Sequence, residues 1–200
     1  NPTPVIGMVG KIDNVEKAIS SEWKNIDDQI WLIGSYKSET TIAASSYLEY
    51  FHGEIAGRPP KIDLLDEKIC QNFLRNAILK NFVLSSHDVS DGGLATALAE
   101  CCILSSKGAT LEFQEEPNRV DNLLFAEGGS RIIFTIDKMK EQEWLNYLKN
   151  QIDFKSSVYV KKIGYVSSET LKMNIHGKNI CNIKVEKLTE NFNNSISGKL

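Results

Sequence analysis

This 200-residue chain has little that would mark a membrane, secreted or nucleic-acid-binding protein. Its apolar runs are short, such as Val83-Leu84 and residues 132–134, and none approaches the roughly 20 residues that cross a bilayer. It opens on Asn1-Pro2-Thr3-Pro4 without the charged and apolar pattern of a secretory leader, so no signal peptide is expected. Cys70, Cys101, Cys102 and Cys181 form no CxxC pair, which argues against a zinc or redox motif and for free thiols in a reducing cytosol. The 23 basic and 26 acidic residues are interspersed, with a net charge of -3 and no basic stripe, so nucleic acid is a poor partner. There is no Walker-type loop, no HExxH and no GxSxG. Nor is there an internal repeat, a low-complexity segment or a carboxylate pair that stands out as a catalytic couple.

What is present is an ordinary globular composition, 42% hydrophobic and 24% charged, enough for a packed core. Residues 3–12 read as a strand that starts abruptly after two prolines, as if its sheet lay partly in another stretch of polypeptide. Residues 14–28 read as a polar connector, and 29–34 as a short apolar strand. Residues 40–51 read as a helix with Ile42, Leu48 and Phe51 near one face, ended by His52-Gly53. Leu65, Ile69, Phe73 and Ala77 recur every four residues and predict a helix over 64–80, with Asp63 as its cap. A strand at 82–85, a loop at 87–93 and a helix reaching Ser105 follow. Leu94, Ala97, Leu98, Cys101 and Cys102 form the apolar stripe of that helix.

Further on, strands are predicted at 109–113, 131–136 and 157–166, a short helix or turn at 120–126 and a helix at 138–150. Two last strands, near 171–175 and 179–185, flank His176-Gly177-Lys178, where glycine supplies the positive φ of a tight hairpin. The tail after Thr189 is rich in Asn and Ser and is expected to fray. Helix crossovers mixed with hairpins predict an α+β fold, a mixed β-sheet covered by helices. Within it, residues 131–166 form a β-α-β unit whose strands can pair in parallel.

Two stretches could carry chemistry. In Ser85-Ser86-His87-Asp88-Val89-Ser90-Asp91-Gly92-Gly93-Leu94 a strand feeds a helix through a polar turn. A helix N-terminus with unpaired amides can hold a phosphate or carboxylate, although Asp88 and Asp91 would repel an anion unless a divalent cation bridged them. The structural reading is a turn with Ser90 or Asp91 as N-cap. In Phe125-Ala126-Glu127-Gly128-Gly129-Ser130-Arg131 two glycines permit close backbone approach, and Glu127 and Arg131 either hold a polar ligand or pair with each other. A third stretch, residues 34–46, is rich in Ser and Thr hydroxyls, for which capping is the simpler use.

In this order these residues resemble the large subunit of the formylglycinamide ribonucleotide amidotransferase family. The matching stretches are the "PTPVIGMVG" run at 2–10, the strand at 27–34, the "G-x-PP-x-(I/L)-D" turn at 57–63, "S-(A/S)-HD-(L/V)-S-x-GGL-A-x-ALAE" at 85–100, "LLF-x-E-x-x-SR" at 123–131 and "IG-x-V" at 163–166. That family belongs to the aminoimidazole ribonucleotide synthetase superfamily, whose halves each comprise an A domain and a B domain. The resemblance implies that residues 1–24 finish an A domain and 25–200 form the C-terminal B domain. It implies a ligase that uses ATP, Mg²⁺ and glutamine-derived ammonia, in the cytoplasm, with glutaminase and small subunits as partners in the multi-subunit form.

The family's catalytic histidine and most of its ligands lie upstream of Asn1, so no catalytic residue and no metal ligand is implied here, and the chain alone is expected to be inactive with no cofactor bound. A substrate or phosphate cleft is implied at His87, Asp88, Ser90, Gly92, Gly93, Glu127, Ser130 and Arg131. Two departures stand out: Ile42-Ala43-Ala44-Ser45 replaces the family's frequent "LGGS", and Phe125-Ala126-Glu127 its "FGE". Each loses glycine freedom. Another ATP-using member of the superfamily, or a half that only scaffolds its neighbours, is the alternative.

Overall fold

A computed structural model describes residues 5–35, 38–114, 117, 119–151 and 157–197. In chain order the elements are β1 (Gln29–Ser35), α1 (Ser46–His52), α2 (Leu64–Leu79), β2 (Val83–Asp88), α3 (Gly93–Ser105), β3 (Gly108–Phe113) and α4 (Val120–Phe125). They continue with β4 (Ile132–Ile136), α5 (Glu141–Gln151), β5 (Val158–Ser167), β6 (Thr170–Ile175), β7 (Lys178–Lys184) and α6 (Val185–Ser197). All seven strands share one mixed sheet in the order β2-β4-β1-β5-β3-β6-β7. Only β3 and β6 pair in parallel; the other neighbours are antiparallel.

Because successive strand residues face opposite ways, β1 feeds two cores at once and is buried along its whole length. Ile30 and Leu32 join Leu111, Ile133 and Ile163 under α3, with Leu94, Leu98, Cys101 and Cys102 packed down on them. Trp31 and Ile33 join Phe134 and Ile136 under α2 and α5, against Cys70, Phe73, Leu74 and Trp144. Each fully buried aliphatic or aromatic side chain contributes roughly 1.5–3 kcal/mol. The predicted α+β class, the shared sheet and the α3 stripe are as the sequence indicates, whereas the α2 stripe is only half so: Phe73 and Ala77 are buried, but Leu65 and Ile69 are exposed and Asp66 and Cys70 take the buried places in the first turns. Asp63 caps α2 as expected, accepting from Leu65 N at 3.0 Å and Asp66 N at 2.9 Å. At the β6–β7 hairpin both His176 (φ 47°) and Gly177 (φ 72°) are left-handed, the geometry of a two-residue turn.

Five further local expectations are corrected. Residues 5–12 form no strand, and Val5, Met8 and Val9 are at least 93% exposed; a strand needs a ladder partner, and these residues have none among the described ones. The helix expected over 40–51 starts only at Ser46, because Ser45 caps it by accepting from Leu48 N and Thr41 instead pairs with Glu127. The strand before α3 runs on through His87 and Asp88, held by pairing with Ile133 and Ile132. The strands of the expected β-α-β unit run parallel but do not touch, since β1 lies between β4 and β5. Finally, the chain stays helical past Thr189, since α6, anchored at its start by buried Val185 and by Leu188 packed on the core, extends through residue 197; residues 198–200 lie outside the described ones.

Candidate functional site

The turn from β2 into α3 and the turn from α4 into β4 meet back to back. The contact depends on Gly93, at φ 71°. A Cβ there would stand 2.7 Å from the Ala126 carbonyl oxygen and against the Phe125 backbone, so only glycine allows the approach. Val89 N then donates to Arg131 O at 2.9 Å and closes the junction.

Glu127 ties this junction together. Its backbone pairs with Thr41 in both directions, at 3.0 and 3.1 Å. Its Oε1 accepts from Ser46 N at 2.9 Å and from Gly92 N at 2.8 Å. One carboxylate thus satisfies an orphan amide at the start of α1 and another at the entry to α3, where a negative charge also complements the helix dipoles. Neither Ser90 nor Asp91 caps α3, contrary to the expectation. Gly92 holds the cap position in the left-handed region at φ 76°, whereas a side-chain cap needs extended backbone there. Asp88, Ser90 and Asp91 are exposed.

His87 is half-buried and both ring nitrogens are engaged. Nδ1 lies 2.7 Å from Asp88 O, and Nε2 3.1 Å from Glu100 Oε2. The ring lines a cavity of about 330 Å³ with Glu100, Ile103, Leu104 and Phe192. Arg131 lines a different cavity, of about 290 Å³. The two motifs touch through their backbones, but their principal side chains do not converge on one pocket.

Ser130, left-handed at φ 65°, is buried. Its Oγ donates to Glu67 Oε2 at 2.5 Å and lies 3.4 Å from Ser38 Oγ. Arg131 is 7% exposed. Its Nη2 donates to Ala126 O, its Nε has no hydrogen-bond partner, and it forms no ion pair within the described residues. Glu127 is committed to the helix amides, so the expected alternative of a Glu127–Arg131 pair is not realised. Burial pulls the guanidinium below the usual arginine range, with Tyr159 and Glu127 opposing that shift.

Residues that sequence reading passed over complete the picture. Buried Asp66 Oδ2 accepts from Ser35 Oγ and Ser157 Oγ, each at 2.5 Å. Its signal was legible: a carboxylate at 66 falls on the same stripe as Cys70, Phe73 and Ala77. Thr40, Asn122 and Tyr159 face Arg131 across its cavity but come from three distant segments, and no spacing could group them. Among the described residues no group of three or more His, Cys, Asp or Glu could hold a metal ion. No chemical step is therefore assigned to a metal here.

Comparison with known proteins follows this geometry. Residues 25–171 match the family described as AIR synthase related protein, C-terminal domain. Phosphoribosylformylglycinamidine synthase subunit PurL of Prochlorococcus marinus strain MIT 9301 is 81% identical over 198 residues, which cover 98% of this chain and 25% of that protein. The subunit from strain MIT 9313 is 39% identical over 209 residues. The chain thus spans about a quarter of the length of these curated relatives. Among solved structures, Thermotoga maritima PurL complexed with FGAR superposes with a TM-score of 0.68 at 15% identity, over 87% of this chain and 30% of that one. The hydrogenase maturation protein HypE in complex with ATP gives 0.54 at 17% identity, over 86% of this chain and 55% of that one. These likenesses define the fold. No helix is long and apolar enough to cross a membrane among the described residues. The chain belongs to the family of AIR synthase related proteins, whose C-terminal domain it carries.

Proposed function

We propose that the chain is the C-terminal B domain of an ATP-dependent ligase of purine biosynthesis, which converts formylglycinamide ribonucleotide to the amidine with glutamine-derived ammonia. The observation that carries this reading is the 81% identity, over nearly the whole chain, to a protein named phosphoribosylformylglycinamidine synthase subunit PurL. ATP and Mg²⁺ then bind to other parts of the longer polypeptide. Residues 1–24 belong with the preceding A domain, although Trp23 is buried in the core described here and anchors the connection. The protein works in the cytoplasm beside glutaminase and small subunits; a Thermotoga maritima structure titled PurLQS supports such an assembly.

On this reading the chain alone turns over no ATP, and the His87 and Arg131 turns serve a ligand in the full-length enzyme. His87→Ala and Arg131→Ala there should lower activity while leaving Tm nearly unchanged. If both variants lose stability and keep full activity per folded molecule, the turns are architectural. ATP turnover by the isolated chain with formylglycinamide ribonucleotide would overturn the assignment of catalysis to other segments. A scaffold role is the second reading, and Glu127 favours it, because its carboxylate is spent on the amides that would otherwise receive an anion.

A further inference from the structure

From 46 to 65 no residue is buried, although this arm between β1 and α2 holds α1 and several large apolar side chains. Its backbone is nevertheless fixed. Glu39 N donates to Lys61 O at 2.9 Å and Ala44 N to Ala56 O at 2.7 Å, so the two limbs of the arm run side by side. Tyr50, Phe51 and Ile55 at one end, and Ile62, Leu65 and Ile69 at the other, are between 39% and 82% exposed. The turn 125–130 passes between the two groups. Phe125 stacks on Tyr47, whose ring centroid is 4.8 Å from that of Phe51, and a Cβ on Gly129 would stand 2.8 Å from Ile62 Cδ1. The groups are therefore neighbours on one surface. Their exposed area is on the order of 800 Å², about what each partner gives a standard stable interface and above the roughly 300–600 Å² of the largest patch on a typical monomer.

The two ends also differ in charge. Glu49 and Glu54 accompany the aromatic end, Lys61 and Lys68 the aliphatic end, and Arg58 lies on the loop between them. All five are exposed, and none is ion-paired among the described residues. The acids nearest the lysines are engaged elsewhere: Glu39 accepts from Lys61 N, Asp63 caps α2, Glu67 accepts from Ser130 Oγ and Asp66 is buried. A surface that is aromatic and acidic at one end, and aliphatic and basic at the other, complements itself after a half-turn.

We propose that this chain pairs with a second copy of itself across the arm, about a twofold axis. Tyr50, Phe51 and Ile55 of one copy cover Ile62, Leu65 and Ile69 of the other, and Glu49 and Glu54 face Lys61 and Lys68. Apolar burial supplies the affinity and the charges set the register. The pairing is independent of the synthase reading and uses none of its site residues.

The test is sedimentation equilibrium of the 200-residue chain over a concentration series. The mass should rise from the 22.4 kDa of one copy and stop at twice that value, because a twofold contact closes on itself. Ile55→Ser combined with Leu65→Ser, one exposed residue from each end, should raise the dissociation constant tenfold or more while leaving the circular dichroism spectrum unchanged. Two charge reversals identify the partner. Glu49→Lys with Glu54→Lys, and Lys61→Glu with Lys68→Glu, should each weaken pairing, and an equimolar mixture of the two variants should restore it as a mixed pair. A single-copy mass at every concentration, growth beyond two copies, or unchanged pairing in the serine variant would overturn the proposal, as would a mixture that pairs no better than either charge variant alone. A chain that stays single, with an arm protected from hydrogen exchange only inside a longer polypeptide, gives the surface to a neighbouring domain and also overturns it. None of these results bears on whether full-length enzyme makes the amidine.

Discussion

The two faces of the sheet are packed in opposite styles. Under α2 and α5, Trp144 is fully buried among Trp31, Phe73, Phe82, Phe134 and Tyr147, with ring centroids 5.5–5.9 Å apart. That face closes on itself with interlocked rings. The α3 and α4 face is aliphatic beneath α3 but opens beside α4 into a trough around Tyr159 and Arg131. Rings that fill space leave no room for a ligand; an aliphatic layer that stops short, beside a buried guanidinium with no ion pair among the described residues, does. One face therefore holds the fold and the other carries the candidate site.

The contrast breaks most directly at Trp144. Trp144→Ala should cost about 3–5 kcal/mol, read as a lowered urea midpoint; a loss under about 1 kcal/mol would mean that the ring cluster is not tightly packed. Cys101→Asp probes the aliphatic layer under α3, where Cys101 is 1% exposed. A carboxylate there has no partner, so the loss should reach about 3 kcal/mol, and tolerance would place a cavity beneath α3 as well. Arg131→Met should change stability by less than about 1 kcal/mol, since removal of a buried charge with no ion pair among the described residues offsets the lost bond to Ala126. A large loss would show the arginine to be structural.

Ala44→Gly should be stabilising by about 0.5–1 kcal/mol, because Ala44 sits at φ 53°, a region that costs an alanine and not a glycine. The smallest effect concerns Asp28, buried at the edge of β1. Burial raises its carboxyl above the ordinary 3.8, with hydrogen bonds from Asn25 opposing and the charges of Asp137 and Asp27 adding to the rise. The folded chain then holds this proton more tightly than the unfolded one. Its contribution is complete below pH 3.8 and is lost as pH rises through the raised value. Asp28→Asn should flatten stability against pH in that window and nowhere else; an unchanged slope would contradict the shift.

Much of the fold was legible because periodicity reports burial. The recurrence from Leu65 to Ala77 marked α2 and, through Phe73 and Ala77, part of its buried side, although Asp66 and Cys70 are buried there in place of Leu65 and Ile69; the stripe from Leu94 to Cys102 marked α3 and the side it buries. Strand existence was readable too, from short apolar runs between turn residues. Boundaries failed where a partner far along the chain decides them. His87 and Asp88 are strand only because β4 lies alongside, and Thr41 leaves the expected helix because Glu127 takes its backbone. Likewise residues 190–197 are helical because they continue α6, whose first turns seat Val185 and Leu188 on the core.

The same division governs the site. Residue order alone determined that two glycine-bearing turns, at 85–94 and 125–131, precede a helix and a strand, and it carried the family resemblance. Only the tertiary structure decided what their side chains do. It sent Glu127 to two helix amides and turned His87 toward Glu100 and away from the Arg131 cavity. It also left the guanidinium without an ion pair among the described residues, beside Thr40, Asn122 and Tyr159. The reason is physical: hydrogen bonds and charges are settled at distances of about 3 Å between atoms that sequence separation does not fix, whereas the alternation of apolar and polar residues is set by backbone geometry that every residue carries with it.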